Sequence, residues 1–246
     1  MNEQRDFKST LGRLKSRGYW RIEFHPSTFE EDVISLADCK QLISEASIKL
    51  RGWDVPHIPV NGRDDKQDMY PKDSNRYESW IDWHIFKEVW RFYRSGKLTF
   101  LKNITENWYD EFEWATNPLP NLEPNSVVDT IDSIYTLTEF MLLFRNIAIK
   151  LPTVKRWTIN ISLNNTNGQK LGVLDKSRIP LSWDYINHTD KINVIRTEVS
   201  NTDLKNTNYA LGLAKDAART LFENFEFQVA DSLLDGEQDK LVNRRF

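Results

Sequence analysis

Asp82 and His84 stand two residues apart, and Glu88 follows four further on. On an extended strand, residues two apart point to the same side. The three are therefore expected to share one face. Carboxylates and an imidazole on one face supply the groups needed for general acid–base work or for a metal ligand shell. Together with His57 they support one expectation, a metal-dependent enzyme using His57, Asp82, His84 and Glu88. A hydrogen-bonded, partly exposed pair explains the same spacing.

The common catalytic signatures are missing. His25, His57, His84 and His188 form no H-x-x-x-H or H-E-x-x-H pair. The chain has no phosphate-cradling G-x-x-x-x-G-K-[ST], no G-x-G-x-x-G and no G-x-S-x-G elbow. The single thiol, Cys39, has no histidine nearby in sequence and excludes an intramolecular disulfide and a cysteine zinc cluster. These absences argue against the usual NTPase, dehydrogenase and hydrolase classes, so no catalytic residue and no cofactor is assigned.

Arg51-Gly-Trp-Asp-Val-Pro-His-Ile58 is the most specific segment. Gly52 permits a positive φ at a helix end, and Pro56 restricts Val55. A stiff loop of this kind presents Arg51, Trp53, Asp54 and His57, with Arg51 placed to fork onto a carboxylate or phosphate. The internal alternative pairs Asp54 with Arg51, buries Trp53 and makes the loop a connector.

Aromatic residues supply a second class of candidate. Of nine tryptophans, five (Trp80, Trp83, Trp90, Trp108 and Trp114) fall between residues 77 and 114. Such side chains dominate both cores and interfaces. Trp80, Trp83 and Trp90 join the loop residues as candidate contacts to a protein partner. A third class is basic: Lys87, Arg91, Arg94, Lys97 and Lys102 are interleaved with Trp90, Phe92, Tyr93 and Phe100. Cations beside stacking rings suit nucleic acid, and a solvated strand face fits the same pattern.

The elements that must position these groups are readable from periodicity. Residues 19–25 alternate as a strand, and 33–50 have helical spacing with Asp32 or Ser35 as cap. Residues 61–75 are polar, with Gly62, Pro71 and four aspartates, and read as a mobile loop. Residues 76–101 read as two or three antiparallel strands with a Ser95-Gly96 turn; a helix over 84–94 competes. Residues 104–132 carry seven acids and no lysine or arginine, a face suited to a basic partner, and their prolines place a loop at 115–125. Helices are expected over 127–151 and 203–225, and strands over 157–163 and 192–199. Residues 1–18 form a flexible basic arm or a short helix ordered by a partner, and 228–246 a fraying polar tail. The result is one α+β domain over 19–227, a mostly antiparallel sheet with a hairpin packed by two or three long helices.

Composition agrees with a globular chain. The 246 residues are 28% charged and 39% hydrophobic, with net charge −3. That balance rules out a uniformly basic nucleic-acid coat but allows a local basic patch. No run approaches the roughly 18 apolar residues of a spanning helix. The N-terminal residues lack the apolar core of a signal peptide, so a cytoplasmic location is expected.

Five stretches together resemble a bacterial module that stands alone or follows a Schlafen-type AlbA_2 DNA-binding domain. They are Gly18–Ile22, Leu50–Ile58, Glu88–Gly96, Ile134–Glu139 and Leu221–Phe225. They span residues 18–227, specific as a set and weak singly. The module's pattern has Phe or Tyr at Val55 and an Ala-Arg-Leu-Ala-like run where 144–149 read Phe-Arg-Asn-Ile-Ala-Ile. No AlbA_2 segment is present, so activity tied to that domain does not transfer. The resemblance implies a sensing or adaptor module in bacterial regulatory or antiviral systems, with no catalytic residues. The leading expectation is accordingly a non-catalytic adaptor or sensor subunit that binds a protein partner in a complex. Nucleic-acid binding through 87–102 and the metal-dependent enzyme are the alternatives.

Overall fold

The computed structural model describes residues 6–59, 70–112 and 122–244. A seven-stranded sheet forms the frame. Its strands are β1 (Tyr19–Pro26), β2 (Tyr70–Asp73), β3 (Arg76–Trp83), β4 (Phe86–Tyr93), β5 (Leu98–Asn103), β7 (Arg156–Asn164) and β10 (Lys191–Ser200). They run in the order β10-β7-β1-β5-β4-β3-β2, every neighbour antiparallel. A smaller sheet pairs β8 (Lys170–Gly172) with β6 (Val127–Asp129) in parallel and with β9 (Tyr185–Ile186) antiparallel. The α+β class and the mostly antiparallel sheet expected from the sequence are therefore present.

Alternation decides which face of the sheet is covered. Trp20, Ile22 and Phe24 of β1 turn to the side occupied by helix α3 (Thr130–Lys150). There Trp20 meets Phe140 edge-on, with ring centroids 6.0 Å apart. Phe24 stacks between Phe144, at 4.5 Å, and Trp157, at 4.3 Å. Helix α3 is buried nearly all round, as an apolar helix must be. The sheet lies on one side of it, and α2 (Leu36–Ala46), α5 (Thr207–Glu223) and α6 (Asp231–Val242) pack against its other sides. Asp129 caps its start by accepting the Asp132 N–H, and Pro152 follows its end.

The expected Ser95-Gly96 turn joins β4 to β5, with Gly96 at φ 78°. A second hairpin, with His84 at φ 47°, joins β3 to β4. The strands therefore win over a helix across 84–94.

Four expectations are corrected. The basic arm contains helix α1 (Phe7–Leu14), capped by Asp6 and laid on the second face of the sheet over β3 and β4. Its Phe7 packs edge-on to Trp80 and beneath Arg91, so the chain itself orders it. Residues 70–73, read as loop, form the edge strand β2; residues 61–69 of that expected loop lie outside the described residues, as do 115–121 of the loop expected at 115–125. The helix over 203–225 breaks at Asn206, whose side chain caps α5 after the short α4 (Asn201–Lys205). The polar tail contains α6, held by buried Leu234 and Leu241. No helix among the described residues is long and apolar enough to cross a membrane.

Candidate functional site

The residues proposed for acid–base or metal work do not converge. Asp82 pairs across the hairpin with Lys87, and Glu88 pairs across with Ile81 and Lys102. The turn falls between them, so Asp82 faces α1 and Glu88 faces the core. His84 occupies the turn itself. Asp82 accepts two hydrogen bonds from Arg13 Nη1, at 2.9 and 2.8 Å. Among the described residues no group of three or more His, Cys, Asp or Glu is arranged to hold a metal ion.

The basic run does not form one face either. Lys87 is fully buried and donates to Glu111 at 2.8 Å. Lys102 is buried on the opposite, core side. Arg91 pairs with Glu78 at 3.0 Å, and Arg94 with Asp32 at 2.9 Å. Lys97 is half-buried near the β4–β5 turn. Nor is the acidic stretch an open face. Glu106 and Asp129 are buried, and Asp110 and Glu111 are tied to Arg17 and Arg13.

The partner-contact candidates divide by environment. Trp90 is 1% exposed, and its Nε1 donates to the His57 carbonyl at 3.0 Å, so it belongs to the core rather than to a contact surface. Trp53 stacks with His57 and with Phe86, each at 4.5 Å, and lies 5.9 Å from Trp83, which is the exposed member. Trp53 Nε1 and the His57 backbone N–H both reach Glu88, at 3.3 and 3.0 Å. Burial pushes the Glu88 carboxyl up to about 7, against the opposing pull of Lys102 and these donors. Trp80 sits on the other face of the sheet beneath α1. Asp54 pairs with Lys49 at 3.4 Å, not with Arg51. The Val55–Pro56 peptide bond is cis.

Arg51 turns instead toward α3 and into the wall of a cavity of about 980 Å³. The cavity lies between the loop at Leu50–Gly52, the 3₁₀ turn Thr105–Glu111, the start of α3 and the segment after β8. Arg51 donates through Nε and Nη2 to the two oxygens of Glu139, at 3.1 and 2.6 Å. Its Nη1 donates to Asp132, and Nη2 also to Thr136 Oγ1 at 3.0 Å. Asp132, Thr136 and Glu139 follow helical spacing, so one polar stripe on an otherwise apolar helix receives the whole guanidinium.

Beside this clamp lies a second group of acids. Glu106 Oε1 accepts the Asp129 backbone N–H at 2.6 Å. Asp129 accepts N–H groups from Asp132 and Leu174, each at 2.7 Å. Neither Glu106 nor Asp129 has a cation at ion-pair distance among the described residues. Burial and the neighbouring carboxylates hold the Glu106 pKa well above the usual range. Burial raises Asp129 to about 6 despite its backbone donors. Burial also opposes charge on Asp132, but Arg51 and Lys102 outweigh it and keep that carboxyl below its ordinary value. Adjacent carboxyls are thus driven apart in protonation, a pattern typical of working sites.

The cavity is wired to a surface loop. Tyr135, on its wall, donates its hydroxyl to Glu237 at 2.7 Å. Glu237, on α6, also accepts from Arg178 at 2.7 and 2.9 Å and from Lys240 at 2.8 Å. Arg178 begins the stretch that exposes Ile179 and Trp183. Comparison gives no parallel: no family model, no curated protein and no solved structure matches this chain.

Glu106, Asp129 and Asp132 entered the sequence reading only as part of an acidic stretch. The signal that could have found them is Asp129 three before Asp132, a helix start, followed by polar positions at 132, 136 and 139 on an apolar helix.

Proposed function

We propose that the protein is a non-catalytic sensor module that binds a small molecule in this cavity and reports it to a protein partner. The carrying observation is the cavity itself, large enough for a drug-sized ligand. It has apolar walls at Leu50, Ile131 and Leu174 and a few converging polar groups at Glu106, Asp129 and Asp132. The Tyr135–Glu237–Arg178 chain supports the reporting step, because it runs from the cavity wall to the loop that exposes Ile179 and Trp183. Exposed large apolar side chains close together are a common mark of an interaction surface. The resemblance to bacterial sensing and adaptor modules supports the same reading, with the partner expected in a regulatory or defence complex.

The test is purification of the full chain from its host under mild conditions, followed by denaturation and mass spectrometry of released small molecules and co-eluting proteins. The expected result is one small molecule near stoichiometric amount, together with a partner whose binding changes when that molecule is removed. A protein that carries nothing, and whose melting temperature no metabolite extract shifts, overturns the reading.

The second reading is acid–base catalysis in the same cavity. The observation favouring it is the split between the raised Glu106 and Asp129 and the lowered Asp132. Turnover of the co-purified molecule by fresh protein would select it.

A further inference from the structure

We infer that the protein forms a two-fold symmetric dimer through the free edge of β10, so that two copies share one continuous sheet. The inference goes beyond the cavity and stands without it.

An edge strand presents a row of unpaired backbone groups, a template for another strand. β10 is the long edge of the main sheet, ten residues against four in β2. No strand pairs with its outer side among the described residues. The ladder with β7 shows which of its backbone groups are free, because residues in an antiparallel pair alternate between bonding to the neighbour and pointing away. The Asn201 N–H donates to the Lys155 carbonyl at 2.8 Å, one step beyond the Ser200–Arg156 pair. The Arg156 carbonyl instead accepts the Ser27 N–H at 3.0 Å, on the β1 side. Counting back along the unbroken register, Val199, Thr197 and Ile195 bond to β7. Glu198 and Arg196 therefore turn their N–H and C=O groups outward. The bulge between Asn193 and Ile195 ends this stretch.

The side chains of the same two residues select the occupant. Arg196 and Glu198 are exposed and lie opposite Thr158 and Asn160 of β7, on the face of the sheet away from α3. Arg196 has no ion pair among the described residues, and Glu198 is held on that face by Arg156. A two-fold axis through Thr197 sets Arg196 opposite Glu198 of the second copy, and Glu198 opposite its Arg196. Each of these pairs can exchange both main-chain hydrogen bonds while joining opposite charges. Sliding the second strand by two residues keeps the hydrogen-bonding parity but sets Arg196 against Arg196 or Glu198 against Glu198. Like charges directly opposite are destabilising. On the helix side the favoured register pairs Thr197 with Thr197 and Ile195 with Val199, β-branched residues suited to cross-strand contact. Charge and backbone register thus agree on one arrangement, in which the strand is its own complement.

The experiment is analytical ultracentrifugation of the full chain over a concentration series, with two charge reversals. The parent should show a reversible monomer–dimer equilibrium. A chain with Arg196→Glu carries acids at both positions, and a chain with Glu198→Arg carries bases at both. Each alone should raise the dimer Kd at least about tenfold, the equivalent of 1.4 kcal/mol. Mixed in equal amounts they should recover the parent's affinity as a heterodimer. The double variant R196E/E198R should recover it as a homodimer. Circular dichroism checks that each chain is folded; if one single variant fails to fold, the other and the double variant still decide. A parent that stays monomeric throughout overturns the proposal. So does a dimer that the reversals leave intact, or one that the mixture and the double variant fail to restore. The cavity reading is judged separately, by what co-purifies.

Discussion

Arg51 and Glu139, 88 residues apart in the chain, meet through two guanidinium nitrogens, the shorter contact at 2.6 Å. The pair fixes the loop of Trp53 and His57 to the middle of α3. It also joins two of the five stretches that carry the resemblance, Leu50–Ile58 and Ile134–Glu139. A third, Glu88–Gly96, is tied to the same loop by the hydrogen bonds from Trp53 and His57 to Glu88. The loop is therefore an internal joint at one wall of the cavity, with Trp83 as its exposed edge.

Removing Arg51 should be severe. Glu139 is fully buried, and Arg51→Met leaves it and Asp132 without their cation. Breaking such a pair from one side costs about 3–5 kcal/mol. Arg51→Lys should also lose stability, because a point charge cannot make the forked contact. Urea denaturation of both variants checks this. A loss under about 1 kcal/mol for Arg51→Met would show that the clamp is not structural.

Glu88 should make stability depend on pH in an unusual direction. Its folded pKa is raised to about 7, above the ordinary value of 4.5, so the folded state binds a proton more tightly than the unfolded state. Stability from this group is fully present below about pH 4.5 and falls as pH rises toward 7, by an amount on the order of 3 kcal/mol. Asp129, at about 6, acts in the same sense between its ordinary 3.8 and that value. Glu88→Gln cannot titrate and keeps an acceptor for Trp53 or His57. Its stability profile should be flatter than that of the parent between pH 5 and 8. Parallel profiles would remove Glu88 as the source.

Much of the frame was legible because apolar alternation and helical spacing are local signals. The strands at 157–163 and 192–199, the helix over 127–151 and the Ser95-Gly96 turn all carried their own residues. The sheet face was less legible. Asp82 and Glu88 look alike in period only if one strand runs through them, and the turn at His84 reverses the chain between them. Amphipathic α6 was masked by its polar content, since only a narrow stripe with Leu234 and Leu241 is buried. The cavity was least legible of all. Its walls come from segments near residues 51, 106, 132 and 174, and their meeting is set by how the small sheet and α3 pack.

Gly18 should be intolerant for a steric reason. A Cβ built there would lie 2.6 Å from Asn107 Nδ2, and 2.7 Å from both Gln169 Nε2 and Ile104 Cδ1. Asn107 and Gln169 are hydrogen-bonded to each other at 3.1 Å in a buried cluster with Asn125, so they cannot yield freely. Gly18→Ala should cost about 1–3 kcal/mol, the range for overpacking a filled site. Thermal unfolding gives the value. An unchanged melting temperature would mean that the Asn107 side chain swings away at little cost.

Glu237 is the joint between the cavity and the exposed loop. Burial alone would raise its pKa, but Arg178, Lys240 and the Tyr135 hydroxyl together hold it down at about 2. The stability it contributes is present above its ordinary 4.5 and is lost as pH falls toward 2, the opposite sense to Glu88. The protein should therefore lose stability at both acidic and neutral extremes of the range from 2 to 8. Glu237→Gln removes the charge that Arg178 and Lys240 share and should cost about 2 kcal/mol, less than the Arg51 clamp because Arg178 is partly solvated. It should also free the loop. Amide hydrogen exchange over residues 173–186 is expected to quicken in Glu237→Gln while β1 and β7 at the sheet centre keep their protection. Equal quickening in the central strands would indicate global destabilisation and would deny Glu237 its linking role.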